Sequence, residues 1–159
     1  MFSQAKEQLH QFVTNPIFLS CIFSWFVAQF IKALIKLLSG KVHNLPELFA
    51  LMFWRTGGMP SSHSALVCSL FTSIGFKNGF GSDIFCLSFA FAAVVIRDAL
   101  GVRRSSGLQA KTINRMGEQL SEKKLIHFNP VKEINGHEPL EVIMGCFLGI
   151  FIGTAFSLL

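Results

Sequence analysis

Long apolar runs recur along this chain, and they leave it few ways to fold. Residues 17–38, 82–101 and 139–159 each approach the roughly 20 residues that a helix needs to cross a bilayer. Residues 60–76 form a further run with a polar beginning. The chain is 51% hydrophobic and 14% charged, whereas soluble domains carry about a quarter charged residues. The expected fold is all-α: one integral membrane helix bundle over residues 1–159, with about four transmembrane spans plus short interfacial or re-entrant helices.

The junctions between runs carry helix start and stop signals. Asn15-Pro16 precedes the first run and Ser39-Gly40 follows it. That run is too long for a signal-peptide core and has no basic segment immediately before it, so it reads as a retained span. Residues 1–14 suit a short interfacial helix, and residues 45–54 a re-entrant or interfacial segment. Asn78-Gly79 and Gly81 mark a tight turn. Residues 105–137 are the most polar stretch, with a helix near 108–120 and a loop over 121–136. Gly145, Gly149 and Gly153 form a small-residue stripe along the last span, suited to internal packing or to a homodimer.

The net charge is +5 and the pI about 9.3. The basic residues sit between apolar runs, so they suit an anionic bilayer surface or an anionic substrate. No aromatic–basic RNA motif occurs, and no nucleic-acid partner is expected. Cys21, Cys68, Cys86 and Cys146 lie within apolar runs, without metal-ligand spacing. They read as small buried residues, not as a disulfide framework. With four spans, one side holds nine basic residues (Lys41, Arg55, Arg103, Arg104, Lys111, Arg115, Lys123, Lys124, Lys132) and the other two (Lys6, Lys77). That asymmetry assigns the first side to the cytoplasm; a full crossing by residues 45–54 would reverse the parity.

Three polar clusters fall on the basic side. The first runs from Arg55 to Ser64, with Gly57-Gly58, Pro60, Ser61, Ser62 and His63. It reads as a helix N-terminus able to hold an anion, beside an imidazole able to protonate a leaving oxygen. The second runs from Arg97 and Asp98 to Arg103 and Arg104. Arg97 and Arg104 are seven residues apart, on one face of a continuous helix, and guanidinium groups clamp phosphate oxygens. The third is His137-Glu138-Pro139-Leu140-Glu141. Its histidine and Glu141 are four apart, a helical spacing that lets a carboxylate orient an imidazole nucleophile. Alone, each cluster also reads as a capped helix start or a headgroup-level flank. Together they supply an acid, a nucleophile with its carboxylate, and an anion cradle, the parts of a phosphoryl transfer.

These residues carry a resemblance. The segments from Gly57 to Ala65 (GGMPSSHSA), Asp98 to Arg104 (DALGVRR), Gly107 to Ala110 (GLQA), Asn114, and Gly136 to Val142 (GHEPLEV) resemble the divergent type 2 phosphatidic acid phosphatase family. That family is related to acid phosphatases and vanadium-dependent haloperoxidases. The resemblance implies that His63 is the general acid and His137 the nucleophile, with Glu141 as its carboxylate partner. Ser62 stands where the parent superfamily has glycine, and Glu141 where it has aspartate. The parent's Arg-Pro motif is absent, and no Ser-Arg adjoins His137. Lys32, Arg55, Arg97, Arg103 and Arg104, with Ser61 and Ser62, are therefore the candidates for binding phosphate. Gln29, Asp98, Gln109 and Asn114 are candidates for supporting hydrogen bonds, and Lys36 for reaching to the interface.

The implied function is a membrane lipid phosphatase acting through a phosphohistidine, without metal or other cofactor, at the cytoplasmic face of a bacterial membrane. The implied substrate is phosphatidylglycerophosphate, with phosphatidic acid and isoprenyl pyrophosphates as alternatives. A metal-assisted phosphatase using Asp98 and Glu141, and a non-catalytic lipid-binding or transport protein, are the competing readings.

Overall fold

Six helices account for most of the residues that the computed structural model describes, which are 2–40, 58–133 and 138–159, with backbone alone for Phe2 and Arg103. They are α1 (Phe2–Val13), α2 (Pro16–Leu38), α3 (Ser62–Asn78), α4 (Asp83–Leu100), α5 (Val102–Glu122) and α6 (Pro139–Leu158). The segment 45–54, Arg55, His137 and the Arg103 side chain lie outside this description. Among the described residues there is no strand.

Each start has a local cause. Asn15 Oδ1 accepts from Ile17 N at 3.0 Å and Pro16 fixes the first turn of α2. Ser61 Oγ caps α3 through Ser64 N at 3.4 Å, and Ser82 Oγ caps α4 through Phe85 N at 3.3 Å. Glu138 and Glu141 form a reciprocal capping box at the start of α6. Gly40, at φ +64°, follows the end of α2 in a conformation that glycine adopts without strain.

Three helical stretches are long and apolar enough to cross a bilayer: Pro16–Leu38, Asp83–Glu122, which contains α4, and Pro139–Leu158. α3 is different. It has 17 residues, carries four serines and a threonine, and sits at the centre of the bundle. Its Ser62, Ser64, Ser69, Thr72 and Ser73 are all buried, while large apolar side chains such as Phe23, Leu87, Phe91 and Phe147 point outward. Small and polar groups inside, with bulky apolar groups outside, is the pattern of helices that associate in lipid through close backbone contact.

The closest contact joins α3 to α6. A Cβ on Gly145 or Gly149 would overlap the carbonyl oxygens of Ser61 and Ala65, and one on Gly153 would lie 2.9 Å from the Ser69 oxygen. Positions 61, 65 and 69 thus match 145, 149 and 153 in order, so the two helices run parallel. The glycine stripe is occupied inside the chain. α2 runs antiparallel to α3: Ser20 Oγ and Ser73 Oγ share a hydrogen bond of 2.8 Å at one end, and Lys32 lies beside Gly58 at the other. α4 returns antiparallel along α3, closed by edge-to-face contacts of Phe71 with Phe89 (5.6 Å) and Phe80 with Phe85 (5.2 Å). Gly75 leaves the space that the Phe80 ring fills.

Two local expectations change. The polar helix begins at Val102, earlier than 108, and Gly101 (φ −102°, ψ −85°) separates it from α4. Arg97 and Arg104 therefore do not share one continuous helix face. Cys86 is exposed, whereas Cys68 and Cys146 meet across α3 and α6.

Replacing Gly149 by leucine forces a side chain into the Ala65 carbonyl, a cost of about 3 kcal/mol or more where backbone must move. Thermal unfolding in detergent will show a large fall in Tm for Gly149→Leu and a smaller one for Gly153→Ala. Gly81→Ala, where nothing lies within 4 Å of the added carbon, will leave Tm nearly unchanged.

Candidate functional site

The topology brings the C-terminal end of α2, the start of α3, the end of α4 and the start of α6 to one end of the bundle. The chain leaves α2 and enters α3 at that same end. A polar cluster lies there. Ser61 N donates to the Glu141 carbonyl oxygen at 2.8 Å, so the turn before α3 is fastened to the first turn of α6. The Glu141 carboxylate accepts from Glu138 N at 3.3 Å and from the Gly58 backbone N–H. Lys32, only 2% exposed, attracts that carboxylate across the cluster.

The loop from Gly58 to Ser61 owes its path to its residues. Gly58 takes φ +98° and lies against the aliphatic stems of Lys32 and Lys36, where an added Cβ would sit 3.5 Å from each. Pro60 follows a cis Met59–Pro60 bond and is buried. Ser61 is wholly buried; its hydroxyl accepts from Ser64 N and from Ser64 Oγ, the latter at 3.0 Å. Gln29 stands one turn before Lys32 on the same face of α2, 6% exposed, and its Oε1 makes no hydrogen bond to protein.

The arrangement has a definite electrostatic sense. Two helix N-termini, those of α3 and α6, converge beside a buried ammonium group. Each contributes positive dipole ends and backbone N–H donors. A buried Lys needs a negative partner, and Glu141 supplies one that is itself held by two backbone N–H groups.

The proposed site residues separate into groups. Lys32, Ser61, Ser62, Glu141 and Gln29 meet around the α3 and α6 starts. His63 is exposed and lies two residues beyond Ser61, about 200° around the helix from the face that meets α6. Arg97 and Gln109 line a separate groove, described below. Asp98 is half-buried near the end of α4, and Arg104 is exposed on the first turn of α5. Asn114 is elsewhere: its side chain bonds Val131 N (2.8 Å), Val131 O (2.9 Å) and Glu133 Oε1 (2.9 Å), and so clamps the segment after α5. With Gly117 covered by the Phe128 ring, this accounts for Asn114 as a fastener of that segment. Glu141 lies in the third position of α6, after the Glu138 cap, and His137 lies outside the described residues.

The third cluster's alternative reading as a helix start holds, with Glu138 in place of the usual Ser, Thr, Asp or Asn of a capping box. Sequence reading missed Gly58 as the packing partner of Lys32, which no local pattern announces.

The fold and this cluster define an integral membrane helix bundle with a polar, cation-bearing site at one end of its spans. The chain belongs to the Divergent PAP2 family, whose profile it matches over residues 13–152. It is 34% identical to YuiD, an uncharacterized membrane protein of Bacillus subtilis (strain 168), over 89% of this chain and 94% of that protein. No solved structure matches the chain significantly.

Two roles of Glu141 can be separated by substitution. Glutamine retains an oxygen that accepts from Glu138 N and Gly58 N–H, whereas alanine removes the acceptor and leaves Lys32 without its carboxylate. Glu141→Ala will lower Tm by more than Glu141→Gln, with a difference of about 1–3 kcal/mol by thermal or denaturant unfolding.

Proposed function

We propose that this protein is a membrane lipid phosphatase that hydrolyses a phosphomonoester, with phosphatidylglycerophosphate as the substrate that best suits it. The observation that carries the reading is the convergence of two helix N-termini on buried Lys32, joined by the Ser61 N–H bond to the Glu141 carbonyl. Membership of the Divergent PAP2 family supports it. In this reading Lys32 and the α3 N-terminus hold the phosphoryl oxygens as their charge redistributes, the preorganised stabilisation on which phosphoryl transfer depends. His137 attacks phosphorus, the P–O ester bond breaks, and His63 gives its proton to the leaving lipid oxygen. Water then cleaves the P–N bond, releasing inorganic phosphate and restoring the imidazole. The charge asymmetry of nine basic residues against two supports a site on the cytoplasmic side of a bacterial membrane.

The position of Glu141, and the exposure of His63 on the side of α3 turned from α6, favour a second reading. The Glu141 carboxylate is engaged by Glu138 N and Gly58 N–H, which leaves it less free to orient a histidine. A lipid-binding or transport protein would keep the cation and need no nucleophile.

Phosphate release from phosphatidylglycerophosphate, phosphatidic acid and isoprenyl pyrophosphate, measured in detergent with a chelator present, separates these. The phosphatase reading predicts release in chelator, competition by vanadate, and losses of about 10²–10⁴-fold for His137→Ala and His63→Ala. Glu141→Gln will lose less than His137→Ala. Release that requires an added divalent metal overturns the histidine mechanism. Cellular function that survives His137→Ala but not Lys32→Met assigns the chain to the non-catalytic reading.

A further inference from the structure

On the far side of α3 from Lys32, a groove of about 1190 Å³ opens between α4 and α6. Its cause is local. α4 packs along α3 but hardly touches α6, and Ala92, Ala93 and Cys146 are too small to close the gap. Larger apolar groups, among them Phe89 and Ile150, form its walls. At one end the lining turns polar, with Arg97 from α4 and Ser105, Ser106 and Gln109 from α5. The Arg97 side chain is exposed at that polar end.

We propose that this groove is a lipid-binding site that takes the acyl chain of one bilayer glycerolipid, with an anionic phosphate headgroup at Arg97. Three observations carry it. From Phe89 to Leu100 the groove follows 12 residues of α4, about 18 Å at roughly 1.5 Å per residue. That is close to half of the roughly 30 Å hydrocarbon thickness, the depth of one leaflet. Its volume also exceeds the roughly 300–1,000 Å³ of small-molecule pockets. Its apolar length lies within the spans, while its cation lies at the end where α4 gives way to the polar α5. An exposed cation at the mouth of an apolar slot is complementary to a lipid phosphate, whose oxygens a guanidinium holds by forked donors. The serine hydroxyls and the Gln109 amide supply further donors to the same headgroup. The site stands whether or not the chain hydrolyses the lipid.

The test uses the full chain in nanodiscs of phosphatidylcholine doped with phosphatidic acid bearing a diazirine on one acyl chain. After irradiation, adducts are mapped by mass spectrometry. The expected adducts fall on the peptides holding Phe89 to Ile96 and Cys146 to Ile150, and excess unlabelled phosphatidic acid suppresses them while phosphatidylcholine does not. Ala93→Trp, at an exposed position lining the groove, will reduce them at least fivefold. Arg97→Gln will weaken competition by phosphatidic acid about tenfold; its exposed position makes folding insensitive to the change, which circular dichroism checks. Equal labelling by a phosphatidylcholine probe, or adducts spread over outward residues such as Phe23 and Phe151, overturns the proposal. Both readouts are of binding, so they stand apart from any failure of the phosphatase assay.

Discussion

The backbones of α3 and α6 touch where other helix pairs hold side chains. Gly145, Gly149 and Gly153 face the carbonyls of Ser61, Ala65 and Ser69, and no residue with a Cβ fits at the first two without displacement. In lipid there is little hydrophobic drive between helices, so such close van der Waals contact is what holds them. Because the match runs over two full steps of four residues, it also fixes register. That register places Ser61 opposite the first turn of α6 and allows its N–H to reach the Glu141 carbonyl. The polar cluster is a consequence of the glycine stripe.

Around that contact the buried charges offset one another. Lys32 lies within a span, 2% exposed, and an unpaired cation there would be costly. Glu141 answers it, and Glu141 is in turn fastened to the start of its own helix and to Gly58. One carboxylate thus fastens the turn before α3 to α6, with the charge of Lys32 from α2 nearby. An anionic ligand entering here would meet Lys32 and two helix N-termini, with the carboxylate opposing it. The site is therefore suited to a ligand that carries enough charge to compete, as a phosphomonoester does.

Much of the fold was legible because its signals are local. Asn15-Pro16, Ser82 and Gly79 mark boundaries through their own side chains or φ angles, and the span lengths follow from bilayer thickness. The membrane bundle and the use of the glycine stripe as a contact surface followed from pattern alone. What was hidden is nonlocal or depends on a break within a helical pattern. Gly101 interrupts what sequence reads as one face from Arg97 to Arg104. Asn114 bonds residues 17 and 19 positions away, so its role as a clamp leaves no mark near it. The 200° turn between Ser61 and His63 was available from helical period, yet the motif invited reading them as one surface. Lys32 was among several basic candidates; only the antiparallel return of α2 beside α3 sets it apart.

The parallel register of α3 and α6 is the claim on which the rest stands, and the native cysteines report on it. Cys68 of α3 and Cys146 of α6 pack in one cluster, while Cys21 lies buried on α2 and Cys86 is exposed on α4. Mild oxidation of the purified protein with copper phenanthroline, followed by peptide mapping, will yield the Cys68–Cys146 disulfide within one chain. Recovery of both thiols unlinked, or a Cys68 bridge to Cys21 or Cys86 instead, would contradict the packing described for these two helices.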